Sequence, residues 1–417
     1  MTDVLDVYLN SRLTGRLNRD TDGSVSFDYV DSTDPTPLSL SMPKGASHHS
    51  PDVTMPWLDN LLPDNDEVRR RWATEFGERR ATPFNLLRHM GADCAGAVQV
   101  VPAGEIPGQD GALTGPSETE IASHIRTLRA DDAAWDFEER GGRWSLGGQQ
   151  GKFALARMED GWFLPSGRAA STHIVKVGIA AVPDSDIAEF VTMRTAALLG
   201  LPVPTVEYAQ FGDQAVLVAE RFDRLKMNED VRRLHQEDLC QAMGLWRSSK
   251  YQSDGGPSSS DVVEFLERTL DPRDRDRGIH DFARALVFNW ILAGTDAHAK
   301  NYALLHLGSR TILAPFYDLI STALLWPAKQ VHFEGRLAMK FGGEYRLRRV
   351  DLGRCAKAAS ELRVPEEFLV GITKDYLTRI PDAVATALKD LSDSVADSTR
   401  ARMQDAMAER LTQVNPA

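Results

Sequence analysis

The stretch AGTDAHAKN (293–301) sets an acid, Asp296, five residues before an amide, Asn301, with His298 and Lys300 between them. A carboxylate and an amide at that interval can share one short loop and face one cleft. The carboxylate can orient a hydroxyl and accept its proton, while the amide oxygen can hold a divalent cation on a phosphate. A surface loop of common polar residues would read the same way, so the interval alone does not decide. A second acid lies downstream in PFYDLIS, where Asp318 is flanked by Ile312, Leu313 and Phe316 before it and Leu319 and Ile320 after it. An acid there would end a buried strand and point into a cleft as a second cation ligand. Alternatively it would cap a helix over LISTALL.

Protein kinases use this acid-x₄-Asn interval in the catalytic loop, with a metal-binding acid some seventeen residues on. The glycine usual two places after that acid is Ile320 here, so the second motif is not DFG. Working upstream, the alternating run THIVKV carries Lys176 on an otherwise apolar strand. A lysine there is costly unless paired or bound to an anion, or unless it snorkels from a strand end. Glu189, thirteen residues on in DIAEFVTMRT, is its natural partner on the next helix. VLVAERFDR (216–224) reads as a strand entering a connector, where backbone groups near Glu220 and Phe222 can meet an adenine edge. RWSLGGQQGKFAL (143–155) is glycine-rich. It is neither a Walker A loop nor G-x-G-x-x-G. As a hairpin between two strands it would leave backbone N–H groups free for phosphate, with Lys152 adding charge, or it would be a plain turn.

Composition bounds what surrounds these motifs. The 417 residues are 42% hydrophobic and 26% charged, enough for two or three folded units and outside the range of disordered chains. The net charge of −12 disfavours direct, non-specific binding to nucleic acid. No apolar run is long enough to span a membrane. MTDVLDVYLN has no signal-peptide pattern, and three scattered cysteines (Cys94, Cys240, Cys355) fit a reducing, cytoplasmic setting. The first 30 residues read as strands with a turn at Gly15, and Val68, Trp72 and Phe76 give a helical spacing. PAGEIPGQDGALTGP (102–116), with seven Gly or Pro in fifteen, reads as a linker, and Ser117 with Glu120 starts a helix as a capping box. From Gln236 the chain turns predominantly helical, ending in a long amphipathic helix or pair of helices. The division is therefore 1–105, a β-rich unit; 106–116, linker; 117–235, an α/β unit with the glycine-rich segment; and 236–417, a helical unit with both acids.

Taken in order, these pieces resemble the HipA family, the serine/threonine kinase toxins of bacterial type II toxin–antitoxin pairs. PLSLSMP (37–43), LDNLLPD (58–64) and PFNLLRHMGADCAGAV (83–98) resemble the family's N-terminal region. SLGGQQGKFAL (145–155), THIVKV, AERFDR, HQED (235–238), GTDAHAKN and FYDLIS resemble its kinase core. The resemblance implies an α+β, two-lobed protein-kinase-like fold with a β-rich N-terminal subdomain and an all-helical C-terminal lobe. It implies ATP and Mg²⁺ as cofactors. Lys176 would bind the phosphates, together with the loop Gly147, Gly148, Gln149, Gln150, Gly151 and Lys152. Glu189 would be the ion-pair partner of Lys176, and Glu220 and Phe222 would form the adenine hinge. Asp296 would be the catalytic acid/base, supported by His298, with Asn301 and Asp318 on the metal. Ser145 sits where family members autophosphorylate, ejecting the loop and inactivating the kinase. The partners implied are a HipB-like helix-turn-helix antitoxin, through which alone the chain would meet DNA, and a protein substrate, a class that includes aminoacyl-tRNA synthetases. Two rival readings are a catalytically weak module that serves as antitoxin partner and co-repressor, and a small-molecule kinase.

Overall fold

The computed structural model describes residues 3–31, 33–107, 112–137, 144–166, 169–227 and 230–414. The chain opens with strands β1 (Asp3–Leu9), β2 (Arg12–Arg19), β3 (Val25–Tyr29) and β4 (His48–His49), then helices α1 (Pro51–Asn60), α2 (Asp66–Glu75) and α3 (Pro83–Met90). β5 (Val98–Pro102) closes an antiparallel sheet in the order β4-β3-β2-β1-β5. The expected turn at Gly15 is not there. The chain reverses at Asn10 and Ser11, both at positive φ, and Gly15 lies inside β2 opposite Val7 and Tyr29. Its lack of a side chain serves packing instead, since a Cβ would fall 2.2 Å from the Phe27 ring.

Next come β6 (Ala112–Thr114), α4 (Glu118–Ala130), β7 (Lys152–Met158), β8 (Gly161–Ser166), β9 (His173–Lys176), α5 (Ser185–Leu198), β10 (Val206–Phe211) and β11 (Gln214–Glu220). They form a six-stranded sheet, β10-β11-β9-β7-β8-β6, antiparallel at every pairing. Ser117 and Glu120 cap α4 reciprocally, as their spacing predicts. The glycine-rich segment is no hairpin: among the described residues 144–151 form no strand and lead singly into β7, and 141–143 lie outside the description. The true hairpin is β7–β8, closed at Gly161, whose partner strand GWFLPS the alternation did not reveal. Part of the linker also takes structure, because Ala112–Thr114 pairs with β8; 108–111 lie outside the description.

Strands β12 (Arg224–Met227) and β13 (Asp230–Arg233) then form a ribbon. Beyond them lie β14 (His235–Asp238), α6 (Leu239–Ala242), α7 (Ser259–Thr269), α8 (Arg275–Leu292), β15 (Ala303–Leu307), β16 (Arg310–Leu313), α9 (Ala328–Glu334), β17 (Arg336–Phe341), β18 (Glu344–Arg346), α10 (Cys355–Leu362), α11 (Glu366–Lys389) and α12 (Asp397–Val414). The C-terminal lobe is therefore mainly but not wholly helical. Two small sheets, β14-β15-β16 and β17-β18, present and brace the loops between helices. Hydrophobic residues gather in two main cores. One joins the first sheet and α1–α4 to one face of the second sheet; the other joins α5 to the C-terminal helices. β11 shows why: Val216 and Val218 face the first core and Leu217 the second, as period-two alternation requires. No helix of the described residues is long and apolar enough to cross a membrane.

Candidate active site

A cleft of about 240 Å³ lies between the two cores, lined from both sides. β9 supplies its upper wall. Val175 points into the first core, so Ile174 and Lys176, on the opposite face, point into the cleft. β7 pairs with β9 so that Lys152 stands directly opposite Lys176. Two like charges at facing positions are unfavourable unless anions answer them. Lys176 Nζ is 2.6 Å from Glu189 Oε1 on α5 and also bonds the Asp318 carboxylate. Burial would lower the Lys176 ammonium, but Asp318 and Glu189 hold it above its ordinary value. Among the described residues Lys152 Nζ donates only to the Gly147 carbonyl, at 2.8 Å, and burial pushes it down to about 8 against the pull of Asp318. The pair is thus short of negative charge on the Lys152 side.

The lower wall follows from how α8 ends. Ala293 closes the helix at φ 57°, and the chain turns into 294–301. There the Asn301 amide Nδ2 donates to the Asp296 carbonyl at 2.9 Å, and the His298 N–H to the same carbonyl at 2.8 Å. This ties acid to amide and leaves the Asn301 oxygen as the end offered to a ligand. His298 is buried; burial pushes its imidazole down to about 4, so it stays neutral at physiological pH. Asp296 is exposed, and its carboxylate accepts the Tyr251 hydroxyl. Asp318 sits at φ 55° and caps no helix; the short 3₁₀ turn after it begins at Thr322 behind Ser321. Burial would raise the Asp318 carboxyl, but Lys176 and Lys152 hold it at about 2.

Between the walls runs the glycine-rich segment. Gly148 has φ +97°, which favours glycine, and a Cβ there would lie 2.7 Å from Lys152 Nζ and push that ammonium aside. The Asp64 N–H donates to the Gly148 carbonyl at 2.8 Å, and Gln149 Nε2 donates to the Asp64 carbonyl at 3.0 Å. Gln150 lines the cleft. Gly151 does not; its missing side chain makes room for Leu128 and Val177. Ser145 is fully buried outside the cleft, its hydroxyl donating to the Leu61 carbonyl at 2.7 Å and its N–H to the Asp93 carbonyl at 3.0 Å. Glu220 and Phe222 line the far end, where Phe222 stacks on Tyr317 at 5.5 Å.

Several residues of the site lie in stretches that carry the family resemblance, but the sequence assigns them no role. Asp64, buried at the end of LDNLLPD, takes Lys300 Nζ at 2.6 Å and Lys250 Nζ at 2.8 Å. Burial would raise its carboxyl, but the two ammoniums hold it well below the usual carboxylate range. It is reached from some 236 residues away in the chain, which no local pattern discloses. Asp238 also lines the cleft, and burial pushes its carboxyl up to about 7. Asn301 and Asp318 fit a hard divalent cation as amide and carboxylate oxygen donors. Among the described residues no set of three His, Cys, Asp or Glu side chains converges as a self-sufficient metal site. Mg²⁺ on phosphates needs only one or two protein carboxylates.

Residues 144–390 match the family model for the HipA-like C-terminal domain, and residues 5–101 that for the HipA N-terminal domain. The chain is 33% identical over 405 residues to a Sinorhizobium fredii protein named "Putative kinase Y4mE", covering 95% of this chain and 94% of that one. It is 29% identical to the serine/threonine-protein kinase toxin HipA of Shewanella oneidensis, covering 93% and 90%. A solved Shewanella oneidensis complex of HipA, HipB and operator DNA contains a chain that superposes with a TM-score of 0.83 at 27% identity, covering 98% of this chain and 97% of that one. With both domain models matched in order and a relative similar over nearly its whole length, the chain belongs to the HipA family.

Proposed function

We propose that the chain is an ATP- and Mg²⁺-dependent protein serine/threonine kinase acting as the toxin of a HipBA-type pair in the cytoplasm. The observation that carries this is the facing lysine pair. Lys152 and Lys176 stand opposite each other on buried strands, with Lys176 answered by Glu189 and Asp318 and Lys152, among the described residues, by a carbonyl. With both acids drawn to Lys176, the Lys152 ammonium is left to meet a polyphosphate. Glu220 and Phe222 supply the hinge for adenine. Asn301 and Asp318 hold the metal, which when bound neutralises phosphate charge. Asp296 orients the acceptor hydroxyl and takes its proton, and the Asn301 and His298 contacts fix its backbone. Placement and electrostatics carry the rate.

Ser145 is the self-modification site in this reading. Its buried hydroxyl requires the 144–151 segment to leave before it can react. A HipB-like antitoxin is the partner and the route to operator DNA, in keeping with the HipA, HipB and operator DNA complex from Shewanella oneidensis and the net charge of −12. A protein, such as an aminoacyl-tRNA synthetase, is the substrate.

The test is incubation of the purified chain with Mg-ATP beside Asp296→Ala, read by intact mass and phosphosite mapping. The expected result is one added phosphate at Ser145 in the parent, and a rate lower by roughly 10²–10⁴ in the variant. An unphosphorylated preparation that binds ATP yet gains no phosphate would instead support the co-repressor module.

A further inference from the structure

Residues 246–256 run as a strap between the lobes. Arg247 reaches Asp59 at 3.2 Å and Asp66 at 2.6 Å, and Lys250 Nζ reaches Asp64. The Lys250 carbonyl accepts the Ala299 N–H of the 294–301 loop at 3.0 Å. The Gln252 side-chain oxygen accepts the Lys340 N–H at 2.8 Å, and the Gly256 N–H closes on the Tyr251 carbonyl at 2.9 Å. The main chain on either side of Tyr251 is therefore anchored to the N-terminal region, the 294–301 loop and β17.

From that anchored position Tyr251 donates its phenol O–H to Asp296 Oδ1, with its ring edge-on to His298 at 4.8 Å. An exposed carboxylate needs no protein partner, since water serves it. Here it is given one, and the group given is a hydroxyl donor, the same group that an acceptor serine or threonine would bring. Burial, reinforced by Asp296, holds the phenol above its ordinary value, so it remains an O–H donor.

We infer that Tyr251 is a gate over Asp296: its hydroxyl occupies the acceptor's place and keeps water out until a protein hydroxyl displaces it. The inference rests on the kinase reading. In the suppressed side reaction, a water oxygen bonds to the γ-phosphorus as the bond to the ADP oxygen breaks. The water proton passes to Asp296 and then to the released phosphate. Tyr251 is a positioning residue, acting through Asp296, and only its side chain need swing.

The experiment compares ADP release from Mg-ATP without added acceptor in Ser145→Ala and Ser145→Ala/Tyr251→Phe chains. The Ser145→Ala background prevents self-modification. Loss of a hydrogen bond to a charged group should raise acceptor-free ADP release roughly tenfold. The KM for ATP should be unchanged, and adding Asp296→Ala should abolish the gain. A fall in ADP release, or no change, in the Tyr251→Phe chain would overturn the inference. It would leave Tyr251 as a brace for Asp296 or a bystander, with the kinase reading intact. No ADP from either chain, with ATP binding intact by calorimetry, would overturn the kinase reading and this inference with it.

Discussion

Glu189 and Lys176 are each almost fully buried, and Lys176 answers Glu189 while also bonding Asp318. Removing one partner of such a pair costs about 3–5 kcal/mol, whereas replacing both by apolar groups is often neutral. Lys176→Met should therefore lower stability by about 3 kcal/mol or more. Lys176→Met/Glu189→Leu should recover most of that loss in urea unfolding while remaining inactive. A single variant as stable as the parent would show that Glu189 is satisfied by other means. This pair was legible in the sequence because a charged residue on an apolar strand demands a partner, and a helix followed at short range. Asp64 was not legible, because its partners, Lys250 and Lys300, are brought to it only by the folding of the second lobe onto the first.

Among the elements, α12 has the least obvious bearing on chemistry, yet it reaches the active site indirectly. Arg410, buried on α12, donates to the carbonyls of Trp290 and Ile291 at 2.7 and 3.0 Å. Those carbonyls belong to the last turn of α8, where the Trp290 carbonyl otherwise receives a long bond from the Ala293 N–H at 3.3 Å and the helix end carries partial negative charge. One guanidinium thus ties off the helix from which the 294–301 loop departs. The spacing of Met403, Met407, Leu411 and Val414 disclosed an amphipathic helix but not that its buried arginine would have this task. Arg410→Met should cost about 1–3 kcal/mol in thermal unfolding. It should also lower phosphotransfer with little change in ATP affinity, measured on folded protein. Activity equal to the parent's would separate the helix end from the loop.

Across the whole molecule, the first core crosses from residues 5–101 into the second sheet, so the N-terminal sheet and that sheet share one interior. The connection to the hinge is ionic. Asp93, fully buried, pairs with Arg224 at 2.9 Å and Arg233 at 3.1 Å, while Asp223 pairs with Arg221 at 2.8 Å and accepts the Gly96 N–H at 2.6 Å. Burial would raise the Asp93 carboxyl, but the arginines hold it well below the usual range. Asp93→Asn would remove the buried carboxylate that Arg221, Arg224 and Arg233 all approach. It should lower stability by about 3–5 kcal/mol, seen as a shift of the urea midpoint at unchanged slope. A change in slope would mean that the N-terminal sheet separates first. The order of the site motifs could be read from the sequence because it rests on local pattern, and the fold class followed from the family those motifs resemble. The seam could not, since GADCAG and AERFDR lie far apart in the chain and meet only in the packed molecule.

Ser145, sealed against the Leu61 carbonyl, gives the protein a memory if it takes up phosphate as proposed. A group with no exposure reacts only in those molecules whose segment has departed, so the rarity of that opening multiplies whatever rate the chemistry at Asp296 allows. A phosphoserine brings nearly two negative charges and cannot re-enter a slot shaped for one hydroxyl. The excursion would then be a ratchet, and the fraction of spent molecules would record elapsed time since synthesis.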